Sequence, residues 1–480
     1  MNALDRTIAY FFPLAGLKRA AARSSIKNLY EAAKPGRGFD GWWTTNKSAD
    51  AEVGLQLQTL RNRSRDLGRN NPWVCRAYDL LAAKMVGTGI RPRLADEVPP
   101  QVRQRTMDLW KQFCDEADPE GLRDLYALQL LAARTVVESG EALIRFIPSP
   151  GLRVPLQIRV LEPDWIDASQ HRPLDNGNAI VLGVEYNSAG RRVAYWMFNE
   201  HPGSDMSLSR RATPNVERVT AEYIAPVFWG MRPEQTRGIP WCVPSVLNAK
   251  NLDDLWFARQ ERAKAQACFT AFIRKVPEST ITNEPETGRK LRQLAPGMIE
   301  YLRADEDISF GNPPQGEGDD EWQIMLLHAI AAGIGLTYSQ LTGDMRQANY
   351  SSVRAGALDF WSLLDTWQNM MLKPMMCEPM WKRFDLMAAA TQMRSKLLDV
   401  EWSWPERAFI DPVKDQQALD SALKSGLRTF HDVLSALGHD PETHIAELFR
   451  EREELKGLNL PHTIPDKVPV AQKEVPADPS

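Results

Sequence analysis

The chain has 480 residues, 43% of them hydrophobic and 25% charged, with a formal net charge of −4. That length exceeds one ordinary domain and points to roughly two to four regions with a sizeable core. The slightly acidic balance excludes a protein that grips nucleic acid over its whole surface, and the 15 tryptophans imply large buried surfaces, in cores or between subunits.

The N-terminal stretch MNALDRTIAYFFPLAGLKRAAARSS has a short apolar run, broken by Pro13 and preceded by Asp5, unlike a signal peptide. Lys18, Arg19, Arg23, Lys27, Lys34 and Arg37 outnumber Asp5 and Glu31, so residues 1–40 read as a mobile basic arm. Over 51–94 the spacing predicts two helices divided by GRNNP, with Asn71 as N-cap and Pro72 in the first turn of the second. Trp73, Ala77, Leu80, Leu81 and Met85 share one face of that second helix. GTGI then ends it and starts an extended segment, and further helices follow at about 99–117 and 122–139.

The period then changes. EALIRFIPSP, PLQIRVLEPDWI, AIVLGVEYNSAGRRVAYWMFNE and VTAEYIAPVFW are short, β-branched or aromatic, and bounded by Pro, Gly and Asn. They predict an antiparallel sheet between about 140 and 230, with IVLGVEY and RRVAYWMF paired as a hairpin around NSAG. Helices precede a block of strands, so the fold class is α+β and not a βαβ series.

After the loop RGIP, a helix is expected from beyond Pro244 to about Cys268, with Leu252, Leu255, Trp256 and Ala263 as a partial stripe. Its acids Asp253 and Asp254 come early and Arg259, Arg262 and Lys264 late, the order a helix dipole favours. Residues 269–318 form an insert rich in Pro, Gly and acids, read as short strands and loops. EWQIMLLHAIAAGIGL is apolar all round, which predicts a helix buried in the chain or packed against another subunit. The polar stretch GLTYSQLTGDMRQANYSS follows. Val353, Ala357, Phe360, Leu364, Trp367 and Met371 then mark one face of a long helix that Pro374 should end or kink. EWSWPERAFIDPVKD restarts the chain, two or three helices run to about Gly457, and the proline-rich tail 458–480 is expected to be disordered. No internal repeat is present.

The chemistry-bearing motifs are missing. There is no GxxxxGK[ST], HExxH, GxSxG, or GxGxxG between a strand and a helix. Cys75, Cys114, Cys242, Cys268 and Cys377 are far apart, odd in number and never CxxC. They read as reduced, mostly buried thiols of a cytosolic compartment, not as a zinc site or disulfide framework. No apolar run reaches membrane-spanning length. His328 sits in an apolar helix and reads as a packed core or interface residue. Asp305, Glu306 and Asp307 are adjacent, so their side chains diverge, and Asp319–Glu321 form the acidic first turn of the next helix. A metal-dependent nuclease built on these carboxylates is the rival reading, and the spacing argues against it. Asn349-Tyr350-Ser351 matches a glycosylation sequon without meaning for a cytosolic chain. The expectation is a protein that is not an enzyme and uses no cofactor or metal.

Five stretches, in order, resemble the lambda-type bacteriophage portal protein family: RDLGRNNPWVCRAYDLLAAKMVGTGIRPR, RPEQTRGIPWCVPSVLNAKNLDDL, PGMIEYLRADEDISFGNPP, GLTYSQLTGDMRQANYSSVRAGALDFW and FIDPVKDQQALDSALKSGLRT. They span about residues 30–457, and the two ends carry no resemblance. The resemblance implies a ring of twelve copies at one capsid vertex of the virion, assembled in the host cytoplasm. Double-stranded DNA passes through it during packaging and ejection. The implied partners are terminase, a head–tail adaptor, and the major capsid and scaffold proteins, with no membrane.

It also implies a division of the chain: the arm 1–40, a wing over 41–240, a first stem helix over 241–268, and a clip over 269–318 that docks motor and tail proteins. A second stem helix over 319–334, a channel loop over 335–350, a long helix returning to the wing over 351–400, and a helical crown over 401–457 complete it. Thr342, Gly343, Asp344, Met345, Arg346, Gln347 and Asn349 would then face DNA. Arg259, Arg262 and Lys264 are stem candidates for the channel on charge alone, or partners for acids of a neighbouring subunit. A loop that touches moving DNA should not hold it, because each fixed cation adds affinity by counterion release. Without the resemblance, the same loop reads as a surface connection in which Asn and Ser cap the next helix.

Overall fold

The computed structural model describes residues 44–95, 97–204, 215–268, 319–346, 349–405, 407, 412–437 and 441–457. The chain divides into two compact units, residues 1–48 and 49–480. Residues 44–48 of the first are irregular and exposed, and every described element lies in the second. The expected arm, the clip with Asp305, Glu306 and Asp307, and the tail lie outside the described residues.

The body is mixed α+β, as the sequence implies. After a short helix α1 (Ala49–Val53), α2 (Leu57–Asn70) and α3 (Pro72–Val86) meet at Asn71. Its side chain accepts from the N–H groups of Trp73 and Val74 at 3.1 and 3.0 Å, the expected N-cap. α4 (Pro100–Glu116) and α5 (Leu125–Ser139) follow, and α5 starts at the cap Asp124 and stops at left-handed Gly140.

Among the described residues all strand pairs are antiparallel. β2 (Glu141–Pro148) lies between β3 (Leu156–Leu161) and β9 (Ile224–Phe228). A second sheet has the order β4 (Arg172–Pro173), β5 (Ala179–Val181), β6 (Val184–Tyr186), β7 (Arg192–Phe198), β8 (Val216–Thr220). Leu143, Leu161 and Ile224 of the first sheet pack with Val184, Tyr195, Met197 and Val219 of the second in one small core.

Two segments differ from expectation. IVLGVEY is not one strand: Leu182 and Gly183, with φ of 48° and 81°, turn it back on itself as the β5–β6 hairpin. Successive positive φ values match the twist of a tight hairpin, which periodicity cannot reveal. VTAEYIAPVFW is likewise split by a 3-10 turn, Ala221–Tyr223, into β8 and β9 of different sheets. The β6–β7 hairpin around NSAG is present, with a bulge at Glu185/Tyr186.

The larger core gathers α3–α5, the first sheet and the long helices of the second half. α6 (Val246–Cys268) and α7 (Asp319–Ile334) lie side by side. α8 (Tyr338–Thr342) leads to α9 (Tyr350–Trp367). Pro374 does not end this helix. The backbone widens to π-helical turns over Gln368–Cys377 and runs on as α10 (Glu378–Gln392). A proline lacks the N–H and crowds the preceding turn, and a wider turn relieves both. Trp110 of α4 packs edge-on against Phe384 of α10 at 4.9 Å and beside Trp381 at 5.4 Å, so part of the tryptophan content is core. β10 (Val400–Ser403) returns to pair with β1 (Arg91–Leu94), and α11 (Pro412–Lys424), α12 (Phe430–Ala436) and α13 (Pro441–Gly457) close the described chain.

Candidate functional site: the helix pair and its loop

A buried ion cluster fixes where α6 leaves the body. Glu141, fully buried at the start of β2, accepts from Arg237 Nε at 2.8 Å and Arg61 Nη2 at 3.1 Å. Arg237 also donates to the carbonyls of Pro163 and Leu182. The RGIP loop is therefore pinned to two sheets and to α2. Gly238 and Gly140 meet backbone to backbone there, and a Cβ on either would overlap the other strand of chain. Burial first, then Arg237, pulls the Arg61 guanidinium down to about 9, while Glu141 and Asp164 work to raise it.

From that anchor α6 and α7 run antiparallel. Ser245, just before α6, donates to the carbonyl of Ile330 late in α7 at 3.0 Å. Arg259, late in α6, bonds Asp320 at 3.2 Å and Gln323 at 3.0 Å early in α7. Gly333 is required where the pair closes, because a Cβ there would overlap Ser245 Oγ. Asp253 accepts from the Asn71 side chain at 2.8 Å, and Asp254 pairs with Lys250. The two acids lie beyond the first turn, where the dipole has faded, so these bonds and not the dipole account for them.

Leu252 is the buried member of the expected stripe. Leu255 is half-buried, and Trp256 and Ala263 are exposed. On α7, Leu326, Leu327, Ile330, Ala331 and Ile334 face the body. Its other face carries Trp322 at 54% and Met325 at 56% exposure, and α6 adds Trp256 at 42% and Phe257 at 66%. His328 is not a core residue. It is exposed and stacks on the Tyr338 ring at 4.6 Å. Arg259 and Lys264 are paired within the chain, Lys264 with Glu261 at 2.8 Å, and Arg262 is half-buried and engaged.

The polar stretch is partly built. Leu336 and Leu341 are buried, and α8 is held by a capping box between Thr337 and Gln340. Among the described residues, 343–346 and 349 lie outside α8 and α9, between the two. Gly343 turns the chain at φ 72°, and Thr342 Oγ1 accepts from the Asp344 N–H at 3.1 Å. Asp344 Oδ1 takes the Arg346 N–H and Nε at 3.0 Å each, and Oδ2 takes Nη2 at 2.8 Å. Arg346 holds the Asp344 carboxyl well below the usual range. Met345 is exposed, Asn349 caps α9 through a second box with Ser352, and Gln347 lies outside the described residues. Between α7, α8 and α9 lies a cleft of about 850 Å³ bordered by Asp320, His328, Tyr338, Arg346, Val353 and Gly356.

The structure also gathers a set that sequence reading passed over. Glu162, Asp164 and His201 point their ligand atoms within 4.8 Å of one another. Arg65 already bonds Glu162 at 3.1 Å and also pairs with Asp164, so a cation is built into the group. Burial opposes the Asp164 charge, but Arg65 holds its carboxyl below the ordinary value. Among the described residues no helix is long and apolar enough to cross a membrane.

The described residues thus form a cored body, a helix pair with exposed aromatic side chains, and a polar loop after it. The model of the phage portal proteins of the lambda family matches residues 35–368, and the chain belongs to that family. As a phage portal protein it is a structural, non-enzymatic part of the virion. It is 21% identical to the probable portal protein of Halomonas phage phiHAP-1, over 92% of this chain and 90% of that one. It is 22% identical to portal protein B of Escherichia phage lambda, over 88% of this chain and 90% of that one. The portal protein of Escherichia phage N15 is also 22% identical, over 88% and 89%. Among solved structures, a chain from the neck of the native gene transfer agent particle, computed with C12 symmetry, matches at a TM-score of 0.43 and 14% identity, over 78% of this chain and 93% of that one.

Proposed function

We propose that twelve copies form a ring at one vertex of the capsid and that double-stranded DNA enters and leaves through its centre. The α6–α7 pair is the stem, residues 343–349 are the tip of a channel loop, residues 269–318 are the clip that docks terminase and the head–tail adaptor, and the helices after β10 are the crown. Contact with the major capsid and scaffold proteins falls to the outer body. Family membership supports the reading. The observation that carries the ring is the uncovered face of Trp256, Phe257, Trp322 and Met325 on a helix pair whose other face is already in the core. Large apolar side chains left exposed on two neighbouring helices suit a protein contact, and a head-to-tail contact that closes makes a ring.

Light scattering and electron micrographs of the purified chain test it. The expected result is a mass near twelve chains and ring-shaped particles, both lost in W256S/W322S while the body still melts cooperatively. Compact monomers under every condition, including co-expression with capsid proteins, would overturn it. Within the ring, deleting Asp344–Asn349 should leave the mass unchanged and impair DNA packaging or retention.

A further inference from the structure

We propose that Asp344 sets how strongly the loop tip grips DNA, by neutralising the loop's one guanidinium, Arg346, within the same chain. The inference rests on the channel-loop reading above and deepens it. The stretch 335–350 contains a single Arg and no Lys. That Arg is not presented bare. Its backbone N–H, Nε and Nη2 all converge on the Asp344 carboxylate.

The two partners are not equivalent. Asp344 is the fixed member, with a side chain 21% exposed against 86% for Arg346. The Tyr338 hydroxyl donates to Asp344 Oδ2 at 3.3 Å, and Thr342, which takes the Asp344 N–H, donates in turn to the Tyr338 carbonyl at 2.8 Å. α8 is itself rooted by buried Leu341. The carboxylate is thus tied to the body, and the guanidinium folds back onto it from a two-residue distance.

The consequence follows from charge. A DNA phosphate that approaches Arg346 must displace a carboxylate held at high local concentration. The exchange swaps one anion for another, so it releases little of the counterion atmosphere that drives phosphate binding. Residues 335–350 then carry no net charge of their own, and their one cation becomes available only when Asp344 lets go; Arg76 of α3, which donates to the Gln340 carbonyl, is the same in every variant. Without Asp344 the same backbone would offer DNA a ring of free guanidiniums.

Full-length rings and a linear double-stranded DNA fragment test this, with affinity measured across salt concentration. The D344N variant keeps the side-chain shape and an acceptor for Arg346 but removes the charge. It should bind DNA more tightly at low salt. Each freed arginine that meets a phosphate should add roughly a 3.5-fold loss of affinity between about 50 and 200 mM salt. The gain should vanish in D344N/R346Q. M345K, which adds an unpaired cation at the exposed neighbour, serves as the positive control. A gain with M345K and none with D344N overturns the proposal while leaving the loop in the channel. A D344N gain that survives R346Q also overturns it, because the cation would then be another. No change in either D344N or M345K, in rings of correct mass, would overturn the channel-loop reading and this inference with it.

Discussion

Replacing Glu141 by Gln probes the anchor of the helix pair. In the native chain one buried carboxylate oxygen takes Arg61 at 3.1 Å, Arg237 at 2.8 Å and the Gly238 N–H at 3.4 Å. Glutamine can still accept one of these bonds, but its amide nitrogen brings a donor against two guanidiniums, and both cations lose their counter-charge. Breaking a buried pair from one side costs about 3–5 kcal/mol. With a urea slope of about 3 kcal/mol/M, the unfolding midpoint should fall by about 1–1.7 M. Tryptophan fluorescence in urea measures it, with the slope unchanged as a condition. The deficit should also depend on pH. Arg61 is already pulled down to about 9, and losing Glu141 removes a partner that raised it. The unfolded chain then binds that proton more tightly than the folded one, so stability should rise, and the deficit shrink, as the pH climbs through the folded value. A midpoint shift under about 0.3 M, worth about 1 kcal/mol on the same slope, would mean that water reaches the carboxylate and that the cluster does not hold the RGIP loop.

The helix pair, the core and the thiols give three more. G333A should cost about 1–3 kcal/mol by overpacking against Ser245, and S245A in the same chain should recover part of it, seen as a negative coupling in a double-mutant cycle. W367A should cost about 3–5 kcal/mol, because its ring is buried and packs on Trp241 at 4.7 Å. W361A should cost clearly less, since Trp361 is half-buried with Arg407 over its face, and equal melting losses would put the helix phase in error. Burial pushes Cys114 up to about 12 and raises Cys242 and Cys377 as well. A thiol reagent at about pH 8 should therefore label Cys75 in the folded protein and those three only on unfolding, as read by peptide mass spectrometry. Because their folded values lie above the free thiol's 9.0, the three favour folding fully below that pH and should lose that contribution as the pH rises beyond it.

What the sequence alone determined is local. Asn71 and Pro72 start α3, and of the expected stripe Phe360, Leu364 and Trp367 are buried on α9 and Met371 just beyond it, while Val353 and Ala357 are half-buried. These follow from capping and from a 3.6-residue period, which act within a turn or two of the chain. The family was legible too, because its stretches keep their order along the chain. Asp344 and Arg346 were visible as loop residues, and their two-residue spacing was the signal for a bond that pattern reading did not weigh.

The tertiary structure decided the rest. It set Glu141 between Arg61 and Arg237, β10 against β1, and Arg259 on Asp320. It also decided that Trp322 and Met325 face outward while Leu326 and Leu327 face in, a choice an all-apolar helix leaves open. Each of these depends on residues tens to hundreds of positions apart. No periodicity records which distant partner a charge or an apolar face will meet, because that partner is selected only when the whole core closes.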